Sequence, residues 1–181
     1  KAKCWNCEAL SFREQAEVKA KPYTLPAQNW QNYTALSEKM VRWCEDVRKV
    51  RQSTLIDLGV TEEMAYMPSL QKEVNCLTFN YFEGEQVVNK KYRDARKNFT
   101  QSKNGKAIFY NINSIIGASE CYIVEGEFDV LAMHTYGIKN VVSVPNGAND
   151  HDDYWINSEP YLKDIKRFII PTDTDETGIA L

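Results

Sequence analysis

No run of apolar residues in this 181-residue chain approaches the ~20 that a membrane-spanning helix needs. No basic–apolar–small pattern of a secretion signal is present either. The five cysteines are too sparse for a disulfide scaffold, so a reducing compartment is expected. Histidine is scarce, with two in all. His134 lies in a helical stretch with an apolar face and reads as structural; His151 lies in a polar loop without the spacing of a metal ligand. Repeats and low-complexity tracts are absent. With 43% apolar and 26% charged residues, the chain is neither disordered nor membrane-embedded, and it is long enough for a sizeable core. A net charge of −3 excludes a uniformly basic protein, and nothing suggests a coiled coil.

That mean charge hides an asymmetry. Residues 86–106 carry seven bases and the single acid Asp94, whereas residues 119–181 carry twelve acids and four bases. A compact basic segment followed by an acidic one suits two tasks, holding a polyanion and holding cations.

Hydrophobic periodicity divides the chain in the same way. A helix is expected from an N-cap at Thr34 to about Arg51, with Leu36, Met40, Trp43, Cys44, Val47 and Val50 on one face. A short helix after Ser53 and a third after Thr61 follow. Glu73–Phe82 and Gln86–Arg93 read as a hairpin around Glu83-Gly84, and Lys103-Asn104-Gly105 turns into a strand at Lys106–Tyr110. From Glu120 the pattern becomes strand–helix–strand–helix–strand: Cys121–Val124, Phe128–Tyr136, Val141–Val144, a helix opening at Ser158-Glu159-Pro160, and Phe168–Pro171. A last helix begins at Glu176. Short links between alternating elements predict a parallel α/β sheet. The fold class expected is therefore α/β, an α+β basic subdomain followed by a partial parallel sheet.

Ligands of such sheets sit beyond the carboxyl ends of the strands. Two of the three expected strands end in acids: Glu125-Gly126-Glu127-Phe128-Asp129 after the first, and Asp173-Thr174-Asp175-Glu176-Thr177-Gly178 after the third. Asp173 and Asp175 are spaced to share a cation, with Glu125 approaching from a neighbouring strand. Hard oxygen donors on an open platform suit Mg²⁺, and such clusters serve phosphoryl transfer.

Glu-Gly after a buried strand, followed about fifty residues later by Asp-x-Asp-x-x-Gly after another, resembles the Toprim domain of bacterial-type primases, topoisomerases and some nucleases. The resemblance implies Glu125 as acid/base group or metal ligand, and Asp173 and Asp175 as ligands of Mg²⁺ or Mn²⁺. Gly126, Asp129, Asn146 and Gly178 would support them. Gly126 and Gly178 are expected at tight strand-to-helix turns.

Three further features resemble primases of the bacteriophage primase–helicase (Twinkle-like) type. Cys4-Trp5-Asn6-Cys7 resembles one knuckle of an N-terminal zinc ribbon, half of a possible Zn²⁺ site. The basic strands with Lys90, Lys91, Arg93, Lys97, Lys103 and Lys106 resemble the subdomain that contacts template and nucleoside triphosphates, with Tyr92 and Phe99 interleaved as candidate stacking platforms. Ser143–Ala148 resembles the loop after the second Toprim strand. Cys44, Cys76 and Cys121 fit no ribbon spacing and are expected in the core.

The organisation expected is a zinc-ribbon remnant at 1–10, a linker at 11–33, a basic subdomain at 34–118 and a partial Toprim domain at 119–181. The resemblance implies a DNA primase core making short RNA primers on single-stranded DNA, with a replicative helicase, fused or separate, as partner. A cytoplasmic, replisome- or nucleoid-associated location without membrane contact goes with it. Two rivals stand beside it. One is a Toprim nuclease or topoisomerase-like enzyme, for which none of the ten tyrosines is identifiable as a nucleophile. The other is a non-catalytic module binding single strands for a helicase.

Overall fold

A computed structural model of the chain describes residues 31–146 and 153–171, together with two short strands near the start. Those strands, β1 (Ala2–Lys3) and β2 (Leu10–Ser11), pair antiparallel within a first compact unit, Lys1–Gln31. Cys4 and Cys7 lie outside the described residues, as do Gly147, His151, Asp173, Asp175, Gly178 and the helix expected from Glu176.

Among its described residues the second unit, Asn32–Leu181, holds two sheets and four α-helices. Helix α1 (Glu38–Asp46) starts one turn later than the sequence suggests. Ser37 is the N-cap and accepts from the Met40 N–H at 3.3 Å. Thr34 instead accepts from the Leu36 N–H at 3.1 Å, closing a local turn. After α2 (Gln52–Asp57) comes the clearest departure. Residues Thr61–Met67, expected as a helix, form strand β3, paired along its whole length with β4 (Lys72–Glu83). Glu, Met and Ala are good helix formers, but propensity is a small local preference, and cross-strand pairing outweighs it.

The hairpin β4–β5 (Gln86–Arg93) forms as expected, with Gly84 at φ +62° in its turn. A short strand β6 (Phe99–Gln101), not foreseen, completes a four-stranded antiparallel sheet in the order β3-β4-β5-β6. The strand expected at Lys106–Tyr110 is reduced to one bridge, Tyr110 with Ser143.

The acidic half is a parallel sheet, β8-β7-β9, built from β7 (Glu120–Val124), β8 (Val141–Ser143) and β9 (Arg167–Ile169). Helix α3 (Glu127–Thr135) links β7 to β8, and α4 (Asp153–Leu162) precedes β9. Helix α4 contains Pro160 rather than opening at it. Ser158, read as its N-cap, is buried inside the helix, and its hydroxyl accepts from the Phe109 N–H at 3.2 Å.

The two halves share a core. Phe128 at the start of α3 meets Phe79 of β4 edge-on at 5.3 Å and Trp43 of α1 at 5.6 Å. Tyr110 stacks edge-on against Tyr81 at 5.1 Å. The Thr54 and Thr135 hydroxyls, 2.8 Å apart, tie α2 to α3. Cys44, Cys76 and Cys121 are buried, as expected. Burial pushes the Cys44 and Cys121 thiols up to about 12, so neither is a nucleophile at neutral pH. Among the described residues no helix is long and apolar enough to cross a membrane.

Candidate active site

Parallel pairing places the carboxyl ends of β7 and β9 side by side. Glu125, directly after β7, lines an open cavity of about 280 Å³ with Asp129 of α3 and Pro171 beyond β9. Asp173 and Asp175 follow Pro171 by two and four residues in the sequence. Among the described residues no group of three or more His, Cys, Asp or Glu side chains is placed to hold a metal ion. The donors that do line the cavity, two carboxylates, are of the hard oxygen type that Mg²⁺ prefers.

Gly126 is the N-cap of α3, with φ −147° and ψ 164°. Its backbone is extended and open to any residue, so the expected conformational need is absent. What limits the position is space, because a Cβ there would lie 3.3 Å from Asp129 Oδ2.

The next acid carries the link to the basic sheet. Glu127 is only 4% exposed. Its Oε1 accepts from Tyr81 OH at 2.6 Å and from Lys91 Nζ at 2.8 Å. Lys91 Nζ also donates to the Pro145 carbonyl at 2.7 Å, the loop after β8. Gln101 of β6 donates to the same carbonyl at 3.2 Å and to Asn146 Oδ1. Burial, and then the Glu127 charge, hold the Tyr81 phenol well above its usual range, so it donates as a neutral hydroxyl.

The six basic candidates separate by environment. Lys90 pairs with Glu63 at 2.7 Å, Lys91 with Glu127, and Lys106 with Glu83 at 2.6 Å. Lys97 and Lys103 are exposed. Arg93 is 8% exposed and stacked among aromatic rings. Phe99, 51% exposed, sits 5.3 Å from Lys91 Nζ, whereas Tyr92 packs on the small core of Ala65, Met67 and Cys76. Asp94, the lone acid of the segment, accepts from the Arg96 N–H, the Asn98 N–H and the Asn98 amide, each at 2.8 Å. It shapes the loop that presents Arg96 and Lys97.

Sequence reasoning did not single out Glu127, Tyr81 or Gln101 as linking residues. The available signals were the second acid of Glu-Gly-Glu and the odd-numbered, inward-facing register of β4.

The Toprim domain family model matches residues 119–181, the segment that carries the strand ending in an acid, the glycine-capped helix and the parallel β8-β7-β9 sheet. The chain is thus a Toprim-domain protein, homologous in sequence and structure to primase–helicase (Twinkle-like) proteins of phages and organelles. It is 33% identical over 162 residues to the Primase homolog protein of Arabidopsis thaliana, covering 82% of this chain and 48% of the relative. It is 32% identical over 152 residues to the Twinkle homolog protein, chloroplastic/mitochondrial, of the same plant, covering 76% of this chain and 21% of the relative. The chain therefore spans about half the length of one curated relative and about a fifth of the other. Its fold matches the primase fragment of the bacteriophage T7 primase-helicase protein with a TM-score of 0.61 at 22% identity, over 74% of this chain and 55% of that one. The Aquifex aeolicus primase matches with a TM-score of 0.61 at 14% identity, over 79% and 44%.

The cytoplasmic location expected from the sequence does not stand. The finding against it is the similarity to the Twinkle homolog, by its name a chloroplastic and mitochondrial protein. Sparse cysteines are the usage of reducing compartments in general and do not separate one such compartment from another.

Proposed function

We propose that the chain is the core of a DNA primase, joining nucleoside triphosphates into short RNA primers on a single-stranded DNA template. The observation that carries this is the Lys91 contact to Glu127 and Pro145, which seats a basic sheet beside the carboxyl end of β7. Glu125, Asp173 and Asp175 hold Mg²⁺ or Mn²⁺, with Asp129, Asn146, Gly126 and Gly178 shaping the platform. The metal, when bound, would supply charge stabilisation for attack of a 3′-hydroxyl on an α-phosphate, with the α–β bond breaking and pyrophosphate leaving. Lys90, Lys91, Arg93, Lys97, Lys103 and Lys106 hold template and triphosphates. The exposed Lys97 and Lys103 engage phosphates directly, while Lys90, Lys91 and Lys106 exchange a carboxylate partner for phosphate or position the strand. In this reading residues 34–118 are the basic subdomain and 119–181 the Toprim segment, with 11–33 a linker from a ribbon-like segment at 1–10. Cys4 and Cys7 provide half of a Zn²⁺ site. A replicative helicase is the partner.

The test is de novo synthesis on single-stranded DNA with Mg²⁺ or Mn²⁺, alongside Asp173→Ala. Short products that disappear in the variant support the reading. Products undiminished by Asp173→Ala would remove the carboxylates from the chemistry. Absence of product from a folded, DNA-binding chain would favour a binding module, and metal-dependent strand scission a nuclease.

A further inference from the structure

A cavity of about 350 Å³ that the primase reading does not use lies between the end of α2, the C-terminal end of β4 and the turn at Ile112–Ile115. Ile56, Leu58 and Phe82 give it an apolar wall, and Asp57 and Asn80 line it beside them. Asn80 is the unusual member. It is only 5% exposed, yet its Oδ1 is buried and accepts no hydrogen bond among the described residues. Turning the amide round does not cure this. Its Nδ2 donates to the Gly59 carbonyl at 2.7 Å and to Thr61 Oγ1 at 3.0 Å, and the Thr61 hydroxyl already donates to Glu63 Oε1 at 2.9 Å. A flip would set oxygen against oxygen. Buried amide oxygens are nearly always paired, so this one calls for a donor.

The other amides at the cavity have spent their donors. Asn113 clasps Gly84, donating to its carbonyl at 2.7 Å and accepting from its N–H at 2.9 Å. Asn111 donates to the Val141 carbonyl at 2.9 Å. Among the described residues no Lys, Arg or His lines the cavity, and its one charged group is Asp57. Lys139 approaches the Asp57 carboxylate at 3.9 Å. Both side chains are more than half exposed, so that pair is weak and easily exchanged for another cation.

A site with acceptors and no free cation rejects phosphate and carboxylate and suits a ligand that brings N–H groups and positive charge. The wall of Ile56, Leu58 and Phe82 asks for a hydrocarbon portion as well. Water satisfies an amide oxygen, but it leaves that apolar wall wet. The volume is near the lower end for ligand pockets, which restricts the occupant to a short chain.

We infer that this cavity binds a small primary alkylammonium ion, whose N–H groups donate to Asn80 Oδ1 and the Asp57 carboxylate while its hydrocarbon chain lies against Leu58 and Phe82. The site is separate from primer synthesis, and the inference does not rest on the primase reading. Its lining comes from segments 56–59, 80–84 and 110–113, so an occupant ties the end of α2 to the β4–β5 turn and to the segment before β7.

The test is an NMR titration of the isotope-labelled full chain with n-butylammonium chloride at constant ionic strength. Saturable shifts are expected at the Asn80 side-chain amide and the Gly84 N–H. Tetramethylammonium carries the charge without an N–H and should bind at least tenfold more weakly. Asp57→Asn, an exposed change, should weaken butylammonium at least threefold. Asn80→Ala, with circular dichroism confirming its fold, should abolish saturation. Absence of a saturable shift at Asn80 in the wild-type chain would mean that the cavity holds water only and would overturn the proposal. Equal binding of tetramethylammonium would overturn it by removing the acceptor from recognition. Butylammonium binding unaltered in Asp57→Asn would do so by removing the charge, whether or not Asn80→Ala folds.

Discussion

Lys91 of β5 and Glu127 of α3 are joined by a 2.8 Å ion pair whose side chains are 13% and 4% exposed, the one buried pair between the antiparallel and parallel sheets among the described residues. Tyr81 OH completes the carboxylate's partners at 2.6 Å. Removing one member of such a pair leaves the other charge buried without its partner, which costs about 3–5 kcal/mol. Glu127→Gln and Lys91→Met should each lower stability to urea by an amount of this order. The double variant should be less destabilised than the two losses added together, with a coupling of about 1 kcal/mol or more. Strict additivity in the urea midpoints would show that the two residues act independently.

Asp94 makes the loop between β5 and β6 an acid-sensitive element. Burial alone would raise its carboxyl, but hydrogen bonds from the Asn98 side chain and from the Asn98 and Arg96 N–H groups outweigh it and hold the group below the usual carboxylate value. A depressed acid contributes stability above its unfolded pKa and loses it as pH falls through the lower folded one. Asp94→Asn should therefore be less stable than wild type at neutral pH, by about 1–3 kcal/mol. The gap should close below roughly pH 4. A gap of constant size from pH 7 to pH 3 would remove the charge from the explanation.

His134 gives a second, separate window. Burial, and then the Lys139 charge, push its pKa down, against a smaller opposing effect of Asp57. The Lys139 ammonium lies 2.9 Å from ring Nδ1, a geometry that favours the neutral ring. A lowered imidazole contributes stability above its unfolded pKa of about 6.5, and that stability declines as pH falls through the folded value. Thermal unfolding of wild type and His134→Gln should converge as pH is lowered from 7 to 5. Parallel curves would contradict it.

Gly105 tests the packing of the basic hairpin. A Cβ at this position would overlap the Asn89 side-chain amide on β5. Asn89 donates to Gln101 Oε1 at 3.2 Å, so the overlap is transmitted to β6. Gly105→Ala should cost about 1–3 kcal/mol, as overpacking does. A thermal midpoint equal to wild type would mean that Asn89 moves aside freely.

The exposed lysines are best separated by salt. Replacing Lys97 and Lys103 by Ala should weaken single-strand binding and reduce the slope of log affinity against log salt by about 1.4, two phosphate contacts at ~0.7 each. An unaltered slope would make both bystanders.

Periodicity located most elements, since β4, β5, β7, β8, β9, α1 and α3 lie within a few residues of expectation. It failed where local preference and long-range pairing disagree. Residues Thr61–Met67 contain good helix formers, yet seven consecutive pairings with β4 make them a strand. Ser158-Glu159-Pro160 has the composition of a helix start, yet Tyr154 packs on Phe109 at 5.1 Å and Ser158 caps the Phe109 N–H, which settles the helix earlier. β6 was too short to register as a strand on its own.

The sequence by itself determined the parallel sheet, the acids that follow its strands and the basic segment ahead of it. Buried apolar runs and charge blocks are local patterns, legible without coordinates. Which charges are buried was a tertiary decision. Lys91 and Arg93 stand two residues apart on one face of one strand, and nothing in their neighbours distinguishes them. Only the approach of α3 gives Lys91 a carboxylate, and only the packing of Trp43 and Phe128 encloses Arg93 among rings, because both depend on contacts between segments 35–50 residues apart along the chain.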